Sequence, residues 1–344
     1  MSKIKIGLIG AGFMGGMHAA CYEALMPRGD FLVTAVADPV PERAQKLAEM
    51  FGARIYASGE QLIREADVTA ADICLPTYLH AQTAELAMRR GLDVFVEKPV
   101  CLNEQEADRL LQVQQETKRN VMVGHCIRFW PEYMELKRLA SESVYGRLLA
   151  GVFRRVSPRP GWAWQNWLHE PDKSGSAALD LHIHDVDFVR YLLGEPDEVK
   201  CEPVEIAGAN AHIFSLYRYK DAVISLEGGW EFPDSFPFEM AFRVQFEKAT
   251  ATFSSLAEPA MRIYEKSGRV FTPNLAHDGA NVKGEAASGG NISSLGGYYN
   301  ELNAFLDCLS QGRPVVNSTL KDGVDSLRLA LRELAAGTAK KGRG

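Results

Sequence analysis

The chain has 344 residues, 46% of them hydrophobic and 24% charged, so it is long enough for about two domains. It carries 38 Lys and Arg against 44 Asp and Glu, and a formal net charge of −6 argues against a nucleic-acid partner. No apolar run approaches the roughly 20 residues of a membrane span. The six scattered Cys form no C-x-x-C pair, and no signal-peptide cleavage pattern follows Met1, so we expect a cytoplasmic protein without a membrane partner.

The first 125 residues alternate short apolar strands with amphipathic helices. The strand signals are Ile4–Ile9, Phe31–Ala37, Ala71–Leu75, Val94–Glu97 and Val121–His125. The helix signals are Met14–Leu25, Pro41–Phe51, His80–Arg90 and a segment capped by Asn103 that ends at Lys118. Because buried parallel strands are apolar along their whole length, this alternation predicts a doubly wound parallel sheet.

From about Gly146 the strand signals follow one another directly. They are Leu148–Val156, Ala211–Tyr219, Ala222–Trp230, Met240–Phe246 and Ala249–Phe253. Helix signals lie at Ala177–Leu193, Ser293–Ser310 and Leu320–Ala336. Since consecutive strands pair mainly antiparallel, this half predicts an α+β domain with one large sheet.

A glycine-rich turn, Gly10-Ala11-Gly12-Phe13-Met14-Gly15, joins the first strand to the first helix. Such a turn lets a pyrophosphate approach the backbone, and the helix N-terminus supplies N–H donors. Asp38 ends the next strand, where a carboxylate accepts from a ribose 2′-OH and repels a 2′-phosphate. We therefore expect NAD rather than NADP, although Arg43 could reach a phosphate. A purely structural turn with Asp38 as a helix cap would not require all three glycines.

Polar residues follow the carboxyl ends of three predicted strands, where ligands bind in parallel α/β sheets. They lie in Pro76-Thr77-Tyr78-Leu79-His80, in Glu97-Lys98-Pro99 and in Gly124–Phe129, which contains Arg128. Partial desolvation at the end of an apolar strand suits Lys98 to polarising a substrate oxygen, and a plain Glu97–Lys98 ion pair is the alternative. The cofactor candidates here are Pro76, Thr77, His80 and Glu97.

The densest ionisable cluster is the stretch 180–187, Asp-Leu-His-Ile-His-Asp-Val-Asp. On a helix Asp180 and His184 share a face, so Asp180 can orient the His184 imidazole for proton transfer near neutral pH. A surface salt bridge between the two is one alternative. The other makes His182 and His184 metal ligands on a strand, but the apolar stripe continuing to Leu192 indicates a helix, and we expect no metal.

Together and in this order, these motifs resemble the Gfo/Idh/MocA family of NAD(P)-dependent oxidoreductases over nearly the whole chain. The motifs are the glycine turn, Glu97-Lys98-Pro99, Ser174–Asp180 running into His184-Asp185, Glu301–Phe305 and Gly312-Arg313-Pro314. The resemblance implies a Rossmann domain at 1–127 and an α/β domain at 128–344. It also implies that the open, mostly antiparallel sheet of the second domain forms the interface of a homo-dimer or homo-tetramer.

The resemblance further implies hydride transfer at a carbinol of a sugar, cyclitol or related polyol. It assigns catalysis to Lys98, Asp180 and His184, and it implies a cis Lys98–Pro99 peptide. Two features depart from the family pattern. The small-residue run before Asp180 contains less glycine than usual, and His182 is an unusual residue there.

The substrate pocket is expected to draw on aromatic residues, whose faces pack well against sugar C–H groups. Trp162 and Trp164 lie in a tryptophan-rich segment, although these side chains could instead pack a domain seam. Further pocket candidates are Arg128, Tyr298 and Tyr299.

Two other functions stay open at this point. One is a non-redox enzyme that cleaves glycosides by transient oxidation with retained NAD. The other is a regulator that binds NAD without turnover, against which the presence of Lys98, Asp180 and His184 argues. The sequence does not identify the sugar or the carbon that reacts.

Overall fold

A computed structural model describes residues 3–275 and 295–341, and this part of the chain forms two compact units. The first unit comprises 3–129, 162–167 and 295–325. The second comprises 130–161, 168–275 and 326–341. The chain therefore returns twice to its first unit, whereas the sequence predicts one continuous second domain at 128–344.

A six-stranded parallel sheet forms the centre of the first unit. Its strands are β1 Ile4–Ile9, β2 Phe31–Ala37, β3 Arg54–Tyr56, β4 Ala70–Ile73, β5 Asp93–Glu97 and β6 Val121–Gly124. They pair in the order β3-β2-β1-β4-β5-β6, so the direction of winding reverses between β1 and β4. This is the predicted doubly wound sheet, and its reversal is the point at which such sheets bind ligands.

Five helices connect these strands, and their ends follow local chemistry. They are α1 Phe13–Leu25, α2 Pro41–Phe51, α3 Gly59–Glu65, α4 His80–Arg89 and α5 Glu104–Thr117. Asn103 caps α5 as predicted, its side-chain oxygen accepting the Glu106 N–H at 2.9 Å. A later helix, Gly296–Ser310, returns to this unit because its fully buried Phe305 packs against Phe95 of β5, with ring centroids 5.6 Å apart.

An eight-stranded sheet forms the second unit. Its strands are β7 Leu148–Pro158, β8 Glu198–Ile206, β9 Ala209–Arg218, β10 Val223–Phe232, β11 Glu239–Phe246, β12 Ala249–Ser254, β13 Met261–Glu265 and β14 Val270–Phe271. The order is β14-β13-β12-β11-β7-β10-β9-β8. Only the β7–β10 pair is parallel among the described strands of this sheet, which confirms a mostly antiparallel arrangement.

Helices cover one face of this sheet. They are α6 Pro131–Ser141, the single turn α7 Pro171–Ser174, α8 Ile183–Leu193 and most of α10 Leu320–Lys341. The helix Gly296–Ser310, described above with the first unit, is α9. Tyr133 of α6 packs edge-on against Phe188 of α8 at 4.8 Å and against Phe242 of β11 at 5.2 Å. On β9, Ile213, Ser215 and Tyr217 are buried, and Phe214 and Leu216, which alternate with them, are exposed, so the opposite face remains open.

The sequence analysis missed several elements. They are β3, α3, α6, β8 and β13. Strand β3 has only three residues, two of them exposed, and edge strand β8 alternates buried residues with charged ones, so neither gives an apolar run. The helix predicted over 177–193 is a π-helical turn, Ala178–His182, followed by α8. Within the described part of the chain, no helix is long and apolar enough to cross a membrane.

Candidate active site

The glycine turn between β1 and α1 is built for close backbone packing at two positions and is open at the third. Gly10 has φ +98°, and a Cβ there would lie 2.5 Å from the Cys74 carbonyl oxygen. A Cβ on Gly15 would lie 1.9 Å from the Gly10 oxygen. A Cβ on Gly12 would meet nothing within 4 Å, and no side chain caps the N-terminus of α1. The turn thus fits a pyrophosphate, which would approach over Gly12 and accept from the uncapped N–H groups.

Asp38, at the end of β2, is 8% exposed and linked to this turn. Its Oδ2 accepts the Ala11 N–H at 2.7 Å and its Oδ1 accepts the Val40 N–H at 2.8 Å. It does not cap α2, whose N-cap is Val40. A carboxylate has about four acceptor sites, so these two bonds leave capacity for a ribose hydroxyl.

The residues after β4 pack at the carboxyl end of the parallel sheet. Pro76 precedes a 3-10 turn, Thr77–Leu79, and Thr77 is buried. The ring nitrogens of His80 lie 2.7 Å from the carbonyl oxygens of Leu75 and Pro99. Burial lowers the pKa of His80, although its two carbonyl contacts act in the opposite direction, and the ring connects the ends of β4 and β5. A cofactor role for these residues stays a prediction.

Glu97 and Lys98 lie at the carboxyl end of β5. The Glu97 side chain is buried, and its Oε2 accepts the Lys98 N–H at 3.2 Å. Burial alone would raise the pKa of Glu97, but the hydrogen bond and charge of His18 lower it below its usual value, so the carboxylate stays ionised. Lys98 is half-buried, and the Lys98–Pro99 peptide is cis, as the resemblance implies.

Asp180 and His184 lie in the second unit, at the junction of the π-helical turn and α8. Asp180 is half-buried and His184 is 8% exposed. The segment is helical throughout, which confirms the helical interpretation over the strand that a His182–His184 metal pair would need. The catalytic roles of Asp180 and His184 stay predictions, as does that of Lys98 in the first unit.

The ionisable neighbours of His184 anchor α8 within the second unit. His182 fills the space beside Gly228, where a Cβ would lie 2.5 Å from its Nδ1, and its Nε2 lies 3.3 Å from Glu333 of α10. Asp187 accepts a hydrogen bond from the Ser326 hydroxyl at 2.8 Å. His182, which departs from the family pattern, therefore packs between β10 and α10.

Asp185 makes the strongest of these anchors. Arg155 of β7 donates to its two oxygens at 2.9 and 3.3 Å, and both residues are buried. Arg155 also donates to the Tyr133 hydroxyl at 3.3 Å. Sequence reasoning missed Arg155 because nothing local to Asp185 identifies a partner 30 positions away.

The predicted pocket residues of the first unit differ in exposure. Trp162 is 45% exposed, and its ring lies 4.8 Å from that of Phe13 in the glycine turn. Arg128 is 3% exposed, with Nη1 3.4 Å from Asn317 Oδ1 and 3.5 Å from Asp322 Oδ2. The other candidates are half-buried: Trp164, Tyr298 and Tyr299.

Comparison with known proteins assigns the chain to a family. The sequence profile described as "Oxidoreductase family, NAD-binding Rossmann fold" matches residues 4–125. The profile of the "GFO/IDH/MocA C-terminal domain" matches residues 133–252. The chain belongs to the Gfo/Idh/MocA oxidoreductase family. Its first unit is accordingly an NAD-binding Rossmann domain, in agreement with the open glycine turn.

Similar proteins act on sugars and cyclitols. An inositol 2-dehydrogenase of Rhizobium meliloti (strain 1021) is 31% identical over 60% of this chain and 58% of its own length. A 2,7-anhydro-N-acetylneuraminate hydratase of Mediterraneibacter gnavus is 30% identical over 58% of this chain and 52% of its own. The chain thus matches little more than half of each relative. A levoglucosan dehydrogenase solved with NADH and levoglucosan has a TM-score of 0.84 over 98% of both chains at 20% identity, which is a likeness of fold.

Proposed function

We propose that this chain is an NAD-dependent dehydrogenase that transfers a hydride between the nicotinamide and a carbinol of a sugar, cyclitol or related polyol. The observation that carries the proposal is membership of an NAD-binding oxidoreductase family combined with Lys98, Asp180 and His184 at the expected motif positions. The similarity to an inositol 2-dehydrogenase supports the substrate class.

In this mechanism three side chains handle the proton and the developing charge. NAD held at the glycine turn would supply the acceptor for the hydride that leaves the carbinol carbon. His184 takes the hydroxyl proton as the carbonyl forms, and Asp180 orients its ring. The Lys98 ammonium donates a hydrogen bond to the reacting oxygen and stabilises its negative charge. The buried position of His184 would strengthen its interaction with Asp180.

The test is a panel of inositols, aldoses and anhydro sugars assayed by NADH absorbance. Loss of a general base costs about 10²–10⁴-fold in rate, so His184→Ala should lose about that much in kcat. NADH binding, followed by fluorescence, should be unchanged because His184 lies outside the Rossmann domain. Undiminished turnover in the variant would remove His184 from the mechanism.

The hydratase relative favours a second candidate, in which NAD stays bound and the net reaction is not a redox reaction. In that case the hydride removed from the substrate returns to it after an elimination step. Purified protein would then carry tightly held cofactor, and product would form without net NADH. Stoichiometric NADH formation on one substrate decides for the dehydrogenase.

We propose that Trp162, Trp164, Arg128, Tyr298 and Tyr299 line the substrate pocket. Exposure of Trp162 supports a role in ligand contact, since a ring that only packed the interior would be buried. Trp162→Ala should raise the substrate KM, and the nearby Trp167→Ala serves as the matched control.

We propose that the chain forms a homo-dimer or homo-tetramer through the open face of the eight-stranded sheet. This face exposes large apolar side chains that a monomer would leave in water. They are Val204, Phe214, Leu216 and Tyr264. Phe214→Glu with Leu216→Glu should shift the mass measured by light scattering to that of a monomer.

A cytoplasmic location is also part of the proposal. The six cysteines are all free thiols in the structure, and five of them are buried, which suits a reducing compartment. Cell fractionation followed by blotting tests this.

A further inference from the structure

The first unit contains a buried group of ionisable side chains that the proposed mechanism does not use. It consists of His18 on α1, Asp72 in β4, Glu97 at the end of β5 and Glu301 on α9, each at most 4% exposed. We call these four residues the buried cluster. Such groups are costly to bury unless they are paired, so their arrangement calls for a physical reason.

His18 is the positive centre of the buried cluster. Its Nδ1 lies 2.9 Å from Asp72 Oδ2 and its Nε2 lies 3.1 Å from Glu97 Oε1. A neutral imidazole donates from one nitrogen only, so two carboxylate contacts require the imidazolium. Burial alone would lower the pKa of His18, but the interactions of the ring with Asp72 and Cys74 together outweigh it and raise the pKa. With both nitrogens protonated, the ring offers no lone pair to a metal ion.

Glu97 connects this charge to the candidate catalytic lysine. One oxygen accepts from His18 and the other accepts the Lys98 N–H at 3.2 Å. The space for this carboxylate comes from Gly124 of β6, where a Cβ would lie 3.0 Å from Glu97 Oε1. The main chain of Lys98 is therefore held by a side chain that is itself fixed by His18.

Glu301 completes the buried cluster from α9. It is 0% exposed, and neither carboxyl oxygen has a hydrogen-bond partner among the described residues. One of its oxygens lies within 4.8 Å of both the His18 and the Glu97 ligand atoms. Burial raises the pKa of Glu301, and the charge of Glu97 adds to this, so Glu301 is an uncharged carboxylic acid.

The remaining titratable groups beside His18 carry no charge. Burial raises the pKa of Cys21, Tyr22 and Cys74, which keeps all three protonated. The cation at His18 is thus flanked by the carboxyl groups of Asp72 and Glu97.

We propose that His18 and Glu301 are positioning residues for Lys98. His18, whose ring lies between Asp72 and Glu97, and the buried Glu301 carboxyl, within 4.8 Å of His18 and Glu97, fix the Glu97 carboxylate, and Glu97 sets the position of the Lys98 main chain. The inference rests on the proposed catalytic role of Lys98. In this inference Glu301, which lies 203 residues after Lys98 in the sequence, helps to position that lysine.

Steady-state kinetics of His18→Gln, Glu301→Ala, Glu301→Gln and Lys98→Ala test this. A misplacement of about 1 Å costs about 10²-fold, so His18→Gln should lose about that in kcat while the Kd of NADH stays within about twofold. Glu301→Ala should also lose kcat. Glu301→Gln, an uncharged side chain of nearly the same shape, should restore most of it. The control is Glu49→Gln, an exposed change on α2.

A double-mutant cycle separates positioning from a general structural role. If His18 acts through Lys98, His18→Gln should cause little further loss in the Lys98→Ala background. Full additivity of the two losses, or undiminished kcat in His18→Gln, overturns the inference. Wild-type turnover in Lys98→Ala alone instead overturns the proposed function.

A spectroscopic measurement on the wild-type protein covers the case in which His18→Gln fails to fold. Nitrogen-15 NMR of the histidine rings should show both His18 nitrogens protonated at pH 8, far above the usual titration of histidine near 6.5. A neutral His18 ring at that pH overturns the inference.

Discussion

Asp38 accepts the backbone N–H of Ala11 at 2.7 Å, which connects the end of β2 directly to the glycine turn. The same carboxylate therefore stabilises the glycine turn and occupies the position expected to select the cofactor ribose. A second bond, from the Val40 N–H at 2.8 Å, fixes its orientation. The predicted role of Asp38 would therefore couple cofactor affinity and cofactor choice through one side chain.

Asp38→Ala is expected to weaken NAD binding and to reduce discrimination against NADP. Loss of one ribose hydrogen bond corresponds to about 1.4 kcal/mol, or about tenfold in Kd. The ratio of kcat/KM for the two cofactors measures the choice. Asp38→Asn is the matched control, since it keeps an acceptor but removes the charge that repels a 2′-phosphate. Wild-type preference for NADP would contradict the assignment.

Gly12→Ala is expected to weaken NADH binding only, and Gly15→Ala is expected to reduce stability as well. A Cβ on Gly12 meets open space and its φ is −77°, so Gly12→Ala should keep its Tm but lose NADH affinity. A Cβ on Gly15 would lie 1.9 Å from the Gly10 oxygen, so Gly15→Ala should lower Tm as well. Calorimetry and fluorescence titration measure the two effects. Normal NADH binding by Gly12→Ala would show that the pyrophosphate does not pass over this residue.

Local sequence patterns were sufficient to predict most of the nucleotide half of the molecule, though not β3 and α3. The glycine turn, the acidic end of β2 and the cap at Asn103 each depend on neighbours within one structural unit, and the structure contains all three. The helical spacing of Asp180 and His184 is likewise a local property.

The tertiary partners could not be predicted in this way. His18 contacts Asp72 and Glu97, which are 54 and 79 positions away, and no periodicity encodes such pairs. The pattern of α9 predicted a helix but not which core it joins, because an apolar stripe does not specify its partner. The contact of Phe305 with Phe95 decides this.

Asp185→Ala is expected to reduce stability and Asp180→Ala is expected to reduce catalysis, although the two residues lie on neighbouring turns of one helical segment. Removing Asp185 takes away the carboxylate that faces the buried Arg155 guanidinium, which should lower the free energy of unfolding by about 3–5 kcal/mol. Asp180 is half-buried, so its loss should cost less than about 1 kcal/mol but reduce kcat. Urea unfolding and NADH assays measure both. Arg155→Met with Asp185→Leu should recover stability, because no charge is then left unpaired.

The stability of the protein is expected to fall as the pH rises above about 6.5. His18 has a raised pKa in the folded state, so its stabilising contribution is complete below the unfolded pKa and is lost as pH rises through the folded one. Glu301, also raised, keeps a proton that the unfolded chain releases, and this acts in the same direction. Glu97, with a lowered pKa, acts oppositely and only at acidic pH.

Glu301→Gln isolates one of these protons. Each retained proton contributes up to about 1.4 kcal/mol per pH unit, so the variant's unfolding free energy should fall less steeply with pH by up to that amount. Urea unfolding at intervals from pH 6 to 9 measures the slope, and Glu49→Gln, which removes an exposed carboxylate, should keep the wild-type slope. Equal slopes for Glu301→Gln and the wild type would mean that Glu301 is ionised in the folded protein. The pH dependence of the unfolding free energy changes only if the native state holds a proton that the unfolded state has released.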